Sequence, residues 1–321
     1  MKIKSLISVL IASQWAIFCI AQSNQTDTLI TKGTSTHMYL NIAIPKGEVR
    51  ILSSDVCGKS YARIVSPDAS LQPQLVEDKQ GNISYTITFR DEGPAAAPRQ
   101  APPANARMAD MRPKAVVPAH LQHFQQQLVN FDAFYGKAGD YSTEFRADPS
   151  LSTELFVNVG SGGSALDLSG LNLYKVTVNS AFSDIKIAYS KPNLCVMQKM
   201  DVHAVRANIE MRNIELARAE LISVQNDMGE THLILGNNEL PGSTIYLSSG
   251  SGNCYISIHK DHPTKVVIRK GFFARVNVRG NFEIMDKNAF GNLALTRHEG
   301  KYTTIICNMD FGKIYIQETR N

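Results

Sequence analysis

From Leu151 to the C-terminus the chain repeats one unit: two short runs of apolar residues spaced two apart, separated by a polar stretch. Val157 and Val159 precede Leu166 and Leu168; Val176 and Val178 precede Ile185 and Ile187; Met200 and Val202 precede Ile209 and Met211. The pattern continues through Ile222, Val224, Leu233 and Leu235, then Ile245, Leu247, Ile256 and Ile258, then Val266, Ile268, Val276 and Val278. Thr304, Ile306, Ile314 and Ile316 make the last copy. Alternation with period two puts each run on one face of a strand. The closing apolar residues Leu168, Ile187, Met211, Leu235, Ile258 and Val278 follow one another at steps of 19 to 24 residues, the mark of a repeat architecture.

The polar gap within each copy is six to eight residues, longer than a preferred hairpin loop. A chain that turns a corner and stacks in parallel on its next copy accounts for that length. Each rung then buries its apolar pairs against its neighbours, and none is stable alone. The corners carry Gly160-Ser161-Gly162-Gly163, Asn226-Asp227-Met228-Gly229, Ser249-Gly250-Ser251-Gly252-Asn253 and Lys270-Gly271, residue types that accept the backbone angles of tight turns. Asp286 to Thr296 breaks the period and reads as a degenerate rung or an inserted loop near a C-terminal cap.

Ahead of the repeat, Leu40, Ile42 and Ile44 and then Ile83, Tyr85, Ile87 and Phe89 alternate as strands, which gives an N-terminal β region over residues 37–91 after a tail at 22–36. This region either stands apart or supplies the first rungs of the same coil, with residues 92–147 as an excursion from it. Residues 92–118 are rich in Pro and Ala and form a linker. In residues 119–150, Leu121, Phe124, Leu128 and Phe131 share one face of a short helix that docks on the β region.

Residues 1–21 combine Lys2 and Lys4, an apolar run from Leu6 to Ile20, and Ala21 before Gln22. That is a secretory signal peptide. Phe18 before Cys19 argues against a lipid anchor, and no other apolar run approaches the length of a membrane span. Removing the leader lowers 33 basic residues to 31 against 29 acidic ones, so net charge implies no affinity for nucleic acid. The single tryptophan, Trp15, leaves with it. Cys57, Cys195, Cys254 and Cys307 remain, widely spaced and without a CxxC pair, and are expected as free, partly buried thiols.

The stretch Leu166-Asp167-Leu168-Ser169-Gly170-Leu171-Asn172-Leu173, followed by Val176 to Ile187 and Pro192-Asn193, resembles the bacterial toast-rack domain and the related auto-transporter adhesin head (GIN) domain. The resemblance spans roughly Leu151 to Ile316, within a domain at 151–321, and implies a right-handed parallel β-solenoid in an exported, envelope-associated, non-enzymatic protein. It brings no catalytic residues with it, and this chain has no long membrane-barrel segment after the repeat.

Catalytic, cofactor and metal sites are expected to be absent. The glycine runs at Gly160 and Ser249 lack the Gly-Lys-Ser/Thr ending of a phosphate loop. His120 with His123, and His259 with His262, each form an H-x-x-H pair, half of a zinc site and expected to be exposed. No Gly-x-Ser-x-Gly elbow occurs. Read across copies, the outward residues Asp167, Lys186, Glu210, Ile234, Ser257, Asn277 and Tyr315 share no chemistry, while Ile234, Val267 and Ile305 suggest apolar surface awaiting cover. The expected function is an adhesin-like structural or interaction module, in the periplasm, at the outer-membrane surface or outside the cell, with a protein or glycan partner. The alternative is a carbohydrate-active β-helix lyase or hydrolase, which acidic and basic residues converging in a groove would favour.

Overall fold

The computed structural model describes residues 18–22, 25–31, 35–65, 71–77, 82–89, 141–237, 242–297 and 299–320. The N-terminal part contains β1 (Phe18–Gln22), β2 (Gln25–Thr31), β3 (His37–Ser53), β4 (Lys59–Val65), β5 (Leu71–Glu77), β6 (Ile83–Phe89) and β7 (Tyr141–Ala147). The repeat contains β8 (Ser152–Asp167), β9 (Leu173–Ala188), β10 (Met197–Arg206), β11 (Ile209–Arg212), β12 (Ala219–Met228), β13 (Thr231–Leu235), β14 (Thr244–His259) and β15 (Thr264–Arg279). The chain closes with β16 (Phe282–Asp286), β17 (Ala289–Asn292), the single-turn helix α1 (Leu293–Thr296) and β18 (Thr303–Thr319). Apart from α1 and a 3-10 turn at Ile214–Ala217, the regular structure described is all β. The linker at 92–118, the helix bearing Leu121 to Phe131, and His120 with His123 lie outside the described residues. The first four residues of β1 fall within the expected leader, and cleavage after Ala21 would remove them from their antiparallel pairing with β2.

Each sequence copy is one long strand bent near its middle, or two strands meeting at that bend. Val176 and Val178 of β9 lie opposite Met200 and Val202 of β10, and Ile185 and Ile187 lie opposite Ile209 and Met211 of β11, all in parallel. The stack runs β3, β8, β9, β10 with β11, β12 with β13, β14, β18, β15, every neighbouring pair parallel. Period two then aligns the inward side chains in columns. In the first halves, Leu40, Leu155, Val176, Met200, Ile222, Ile245, Ile305 and Val266 are buried in register; in the second halves, Ile51, Leu166, Ile187, Met211, Leu233, Ile256 and Ile316 are. Burying each such side chain contributes about 1.5–3 kcal/mol, and every column is shared between rungs.

Space order departs from chain order at both ends. β18 lies between β14 and β15, so the last sequence copy is not the last rung. Residues 282–296 are the excursion that makes this possible: β16 and β17 form an antiparallel pair, and β17 covers only the first half of β15. At the other end β6 and β7 flank the first and second halves of β3, and antiparallel β5 and β4 close over them. In β18 the expected inward pair Thr304 and Ile306 points outward, while Ile305, Cys307 and Met309 are buried. Ile305 is therefore core and not apolar surface. A shift of one residue exchanges the two faces of a strand, and Thr304 gave the alternating run a false start.

The glycine-rich corners lie where the two halves meet, within the long strands or, at Gly229, between β12 and β13. Gly252 has φ +136 and Gly312 φ +117, both in the region that side chains rarely adopt. They stack on each other in register, and a Cβ on Gly312 would overlap the Gly252 carbonyl, as one on Gly252 would overlap that of Gly229. Gly163, one residue beyond the same bend, has open space where a Cβ would go. Gly252→Ala is therefore expected to lose about 3 kcal/mol or more in urea unfolding, and Gly163→Ala to change little. Equal effects of the two substitutions would contradict the stacked bend.

Candidate functional site

The outward face of the second halves carries ordered chemistry once the true register is applied. The row Asp167, Lys186, Glu210, Ile234, Ser257, Asn277 and Tyr315 mixes two columns and is corrected by the pairing. One column runs Arg50, Ala165, Lys186, Glu210, His232, Tyr255, Tyr315 and Asn277; its neighbour contains Asp167, Ala188, Arg212, Ile234, Ser257 and Gln317. Outer positions therefore do share chemistry over three rungs. His232 stacks on Tyr255 at 4.4 Å and 12°, and Tyr255 on Tyr315 at 5.0 Å and 5°. Those spacings match the separation of neighbouring strands, so in-register rungs impose the stack.

Beside the rings lies a polar ladder. The Asp184 carboxylate accepts from the Asn208 backbone N–H at 2.9 Å, and the Asn208 side-chain oxygen accepts from the Glu230 N–H at 3.2 Å. The Glu230 carboxylate accepts from the Asn253 amide at 3.2 Å and the Tyr255 hydroxyl at 3.4 Å, and faces His232 Nε2 at 3.4 Å. The Asn253 amide holds the Glu230 carboxyl below its ordinary value, against partial desolvation and with the help of the His232 ring.

Toward the N-terminal end the same face opens into a groove of about 540 Å³. It exists because β8 contributes Gly163 and Ala165, which carry little or no side chain, between Glu48 and Arg50 on one neighbouring rung and Asp184 and Lys186 on the other. Arg50 pairs with Glu48 at 3.2 Å, both more than half exposed. Two acids and two cations thus rim a shallow polar groove that can offer hydrogen bonds of both kinds to a ligand. Glu48 and Asp184 stand two rungs apart, about 10 Å by strand spacing. The sequence signal for this groove was a glycine and an alanine in outward positions, legible only after the rungs are aligned.

The other sequence candidates serve the scaffold. The Leu166-to-Leu173 stretch forms the return from β8 to β9: Leu166, Leu168, Leu171 and Leu173 are buried, and the Asp167 carboxylate accepts from the Ser169 N–H at 3.1 Å. His259 and His262 are buried and not on an exposed loop. His262 Nε2 meets the Thr303 hydroxyl at 3.0 Å, and the Asn292 amide donates to the His262 carbonyl at 2.8 Å, which ties the β14–β15 connection to its neighbours. No group of three metal-ligating side chains occurs among the described residues. Cys57 is exposed, Cys195 half-buried, and Cys254 and Cys307 buried, all as free thiols. Hydrogen bonding to the Cys307 thiol, followed by burial, raises the Cys254 thiol well above its ordinary value.

No family model matches the chain, and no curated protein matches it. Among solved structures, it is similar to that of a proposed cell adhesion protein from Clostridium sporogenes, with TM-score 0.45 and 13% identity over 92% of this chain and 99% of that one. It is also similar to that of a proposed adhesin from Bacteroides fragilis, with TM-score 0.39 and 12% identity over 92% and 98%. Likeness this distant carries no functional argument, which falls to the chain's own residues. No helix among the described residues is long and apolar enough to cross a membrane.

Glu230 supplies a pH test of the ladder. Its lowered pKa stabilises the fold fully above the ordinary carboxylate value, and the contribution is lost as pH falls through the folded value. The side chain is nearly half exposed, so solvent screening keeps the expected effect small, at most about 0.5 kcal/mol. In urea unfolding followed from about pH 6 to about pH 3, Glu230→Gln is expected to lower stability at the upper end and to converge with the parent at the lower. A constant offset at every pH would contradict the assignment.

Proposed function

We propose that this chain is an exported, non-enzymatic interaction module of the cell envelope or surface, built as a right-handed parallel β-solenoid, and that it binds a glycan through the outward face of its second halves. The observation that carries the reading is the groove over Gly163 and Ala165, rimmed by Glu48, Arg50, Asp184 and Lys186. Paired acids and cations present both acceptors and donors to a polyhydroxylated ligand, and its volume suits a short saccharide. The rungs beneath are locked by shared core columns, so the face is ordered before any ligand arrives. The leader read at residues 1–21 supports export, and an adhesin-like role agrees with such a face.

A second reading, a carbohydrate-active lyase or hydrolase, is favoured by one observation: Glu48 and Asp184 line the same groove two rungs apart. Their solvent exposure and the use of Asp184 to hold the Asn208 N–H weigh toward binding. Incubating the purified chain with a panel of envelope and host polysaccharides separates the two. Binding is expected without release of new chain ends, and Gly163→Leu, which fills the groove, is expected to weaken it about tenfold or more while leaving the thermal transition in place. Release of chain ends that Glu48→Gln abolishes would establish the enzyme. Binding indifferent to Gly163→Leu would remove the groove from the account.

A further inference from the structure

The bend shared by β18 and β15 gathers three exposed aromatic rings. Phe272 is 94% exposed, Phe273 65% and Phe311 53%. Phe273 stacks on Phe311 at 5.4 Å with the rings 8° from parallel, and Phe272 meets Phe273 edge-on at 5.3 Å. Three aromatic rings thus stand together exposed at the bend, while Ile268, Ala274, Met309 and Ile314 beside them in the chain are buried. Aromatic surface on this scale marks an interaction site and not ordinary scatter.

The charge around the rings is one-sided. Residues 269–275 and 308–313 contain Arg269, Lys270, Arg275 and Lys313 against a single acid, Asp310, and all five are exposed. Lys270 donates to the Ala274 carbonyl at 3.3 Å, bracing the bend. The corresponding corner of the preceding rung, Ser248 to Asn253, bears no charge.

A second copy of the chain suits this corner poorly. Among the described residues, residues 273–279 of β15 pair only with β18 and leave an open edge. Antiparallel pairing of two such edges about Asn277 would set Arg275 opposite Arg279 twice, and like charges directly opposed destabilise a sheet. Exposed aromatic rings ringed by Lys and Arg match instead the interface of a negatively charged bilayer, where rings enter the headgroup boundary and cations meet lipid phosphates. We propose that the bend formed by Lys270 to Arg275 of β15 and Asp310 to Lys313 of β18 docks the protein on an anionic lipid surface. This surface is separate from the groove, and the inference does not rest on glycan binding.

Co-sedimentation with vesicles tests it. The purified chain is expected to sediment with phosphatidylcholine–phosphatidylglycerol vesicles at low salt, to be released at high salt, and not to bind phosphatidylcholine alone. The double variants Phe272→Ser with Phe273→Ser, and Arg269→Glu with Arg275→Glu, alter only exposed side chains and are each expected to weaken binding about tenfold or more, with unchanged thermal transitions. Absence of binding to the anionic vesicles, or binding that neither variant weakens, would overturn the proposal. So would a concentration-dependent dimer, lost in the phenylalanine variant and formed without lipid, which would assign the corner to a second copy.

Discussion

The structure depends on the bend at which each rung's two halves meet. A parallel stack can keep both halves in register only if all its rungs turn at the same place, with backbones close enough to continue the ladder. Gly229, Gly252 and Gly312 satisfy that condition over successive rungs, each placing its missing side chain against the carbonyl below. From the common bend follow the in-register inward columns, the buried apolar core they form, and the in-register outward columns that stack His232, Tyr255 and Tyr315. The functional face is thus a consequence of the packing constraint: where rungs align, like positions become neighbours.

A parallel stack also has two ends with unpaired backbone, and at both ends of this one the space order of the strands departs from chain order. β3 enters the stack early and is covered later by β6 and β7, while β18 returns from the excursion at 282–296 to lie inside β15. Antiparallel strands close the N-terminal end more completely than the C-terminal one, where only the first half of β15 receives a partner from β17. The open half-edge carries Arg275 and Arg279, charges of the kind that discourage strand addition, and lies beside the exposed phenylalanines.

How far the sequence speaks can be followed residue by residue. Val176 with Val178 and Ile185 with Ile187 announce parallel rungs because inward positions answer to one requirement, burial, which composition records directly. Outward positions answer to no single requirement, so a row of them drawn two residues out of step concealed the His232–Tyr255–Tyr315 stack. The inversion at Thr304 to Met309 arose because Ile305 and Ile306 are both apolar, and only the pairing of Ile305 with Ile245 and of Cys307 with Leu247 decides which faces in. The place of β18 between β14 and β15 depends on contacts some 60 residues apart in the first case, such as Gln317 on Ser257, beyond the reach of local periodicity. The setting of His262 likewise depends on Asn292, within the excursion, and on Thr303, which follows it.

Hydrogen exchange of the C-terminal strand tests the stacking order most directly. With β18 held between β14 and β15, amides of residues 303–319 should exchange as slowly as those of 244–259 and more slowly than those of 273–279 on the open edge, although β18 ends the described chain. Rapid exchange across 303–319, with strong protection of 273–279, would place β18 on the outside and contradict the account.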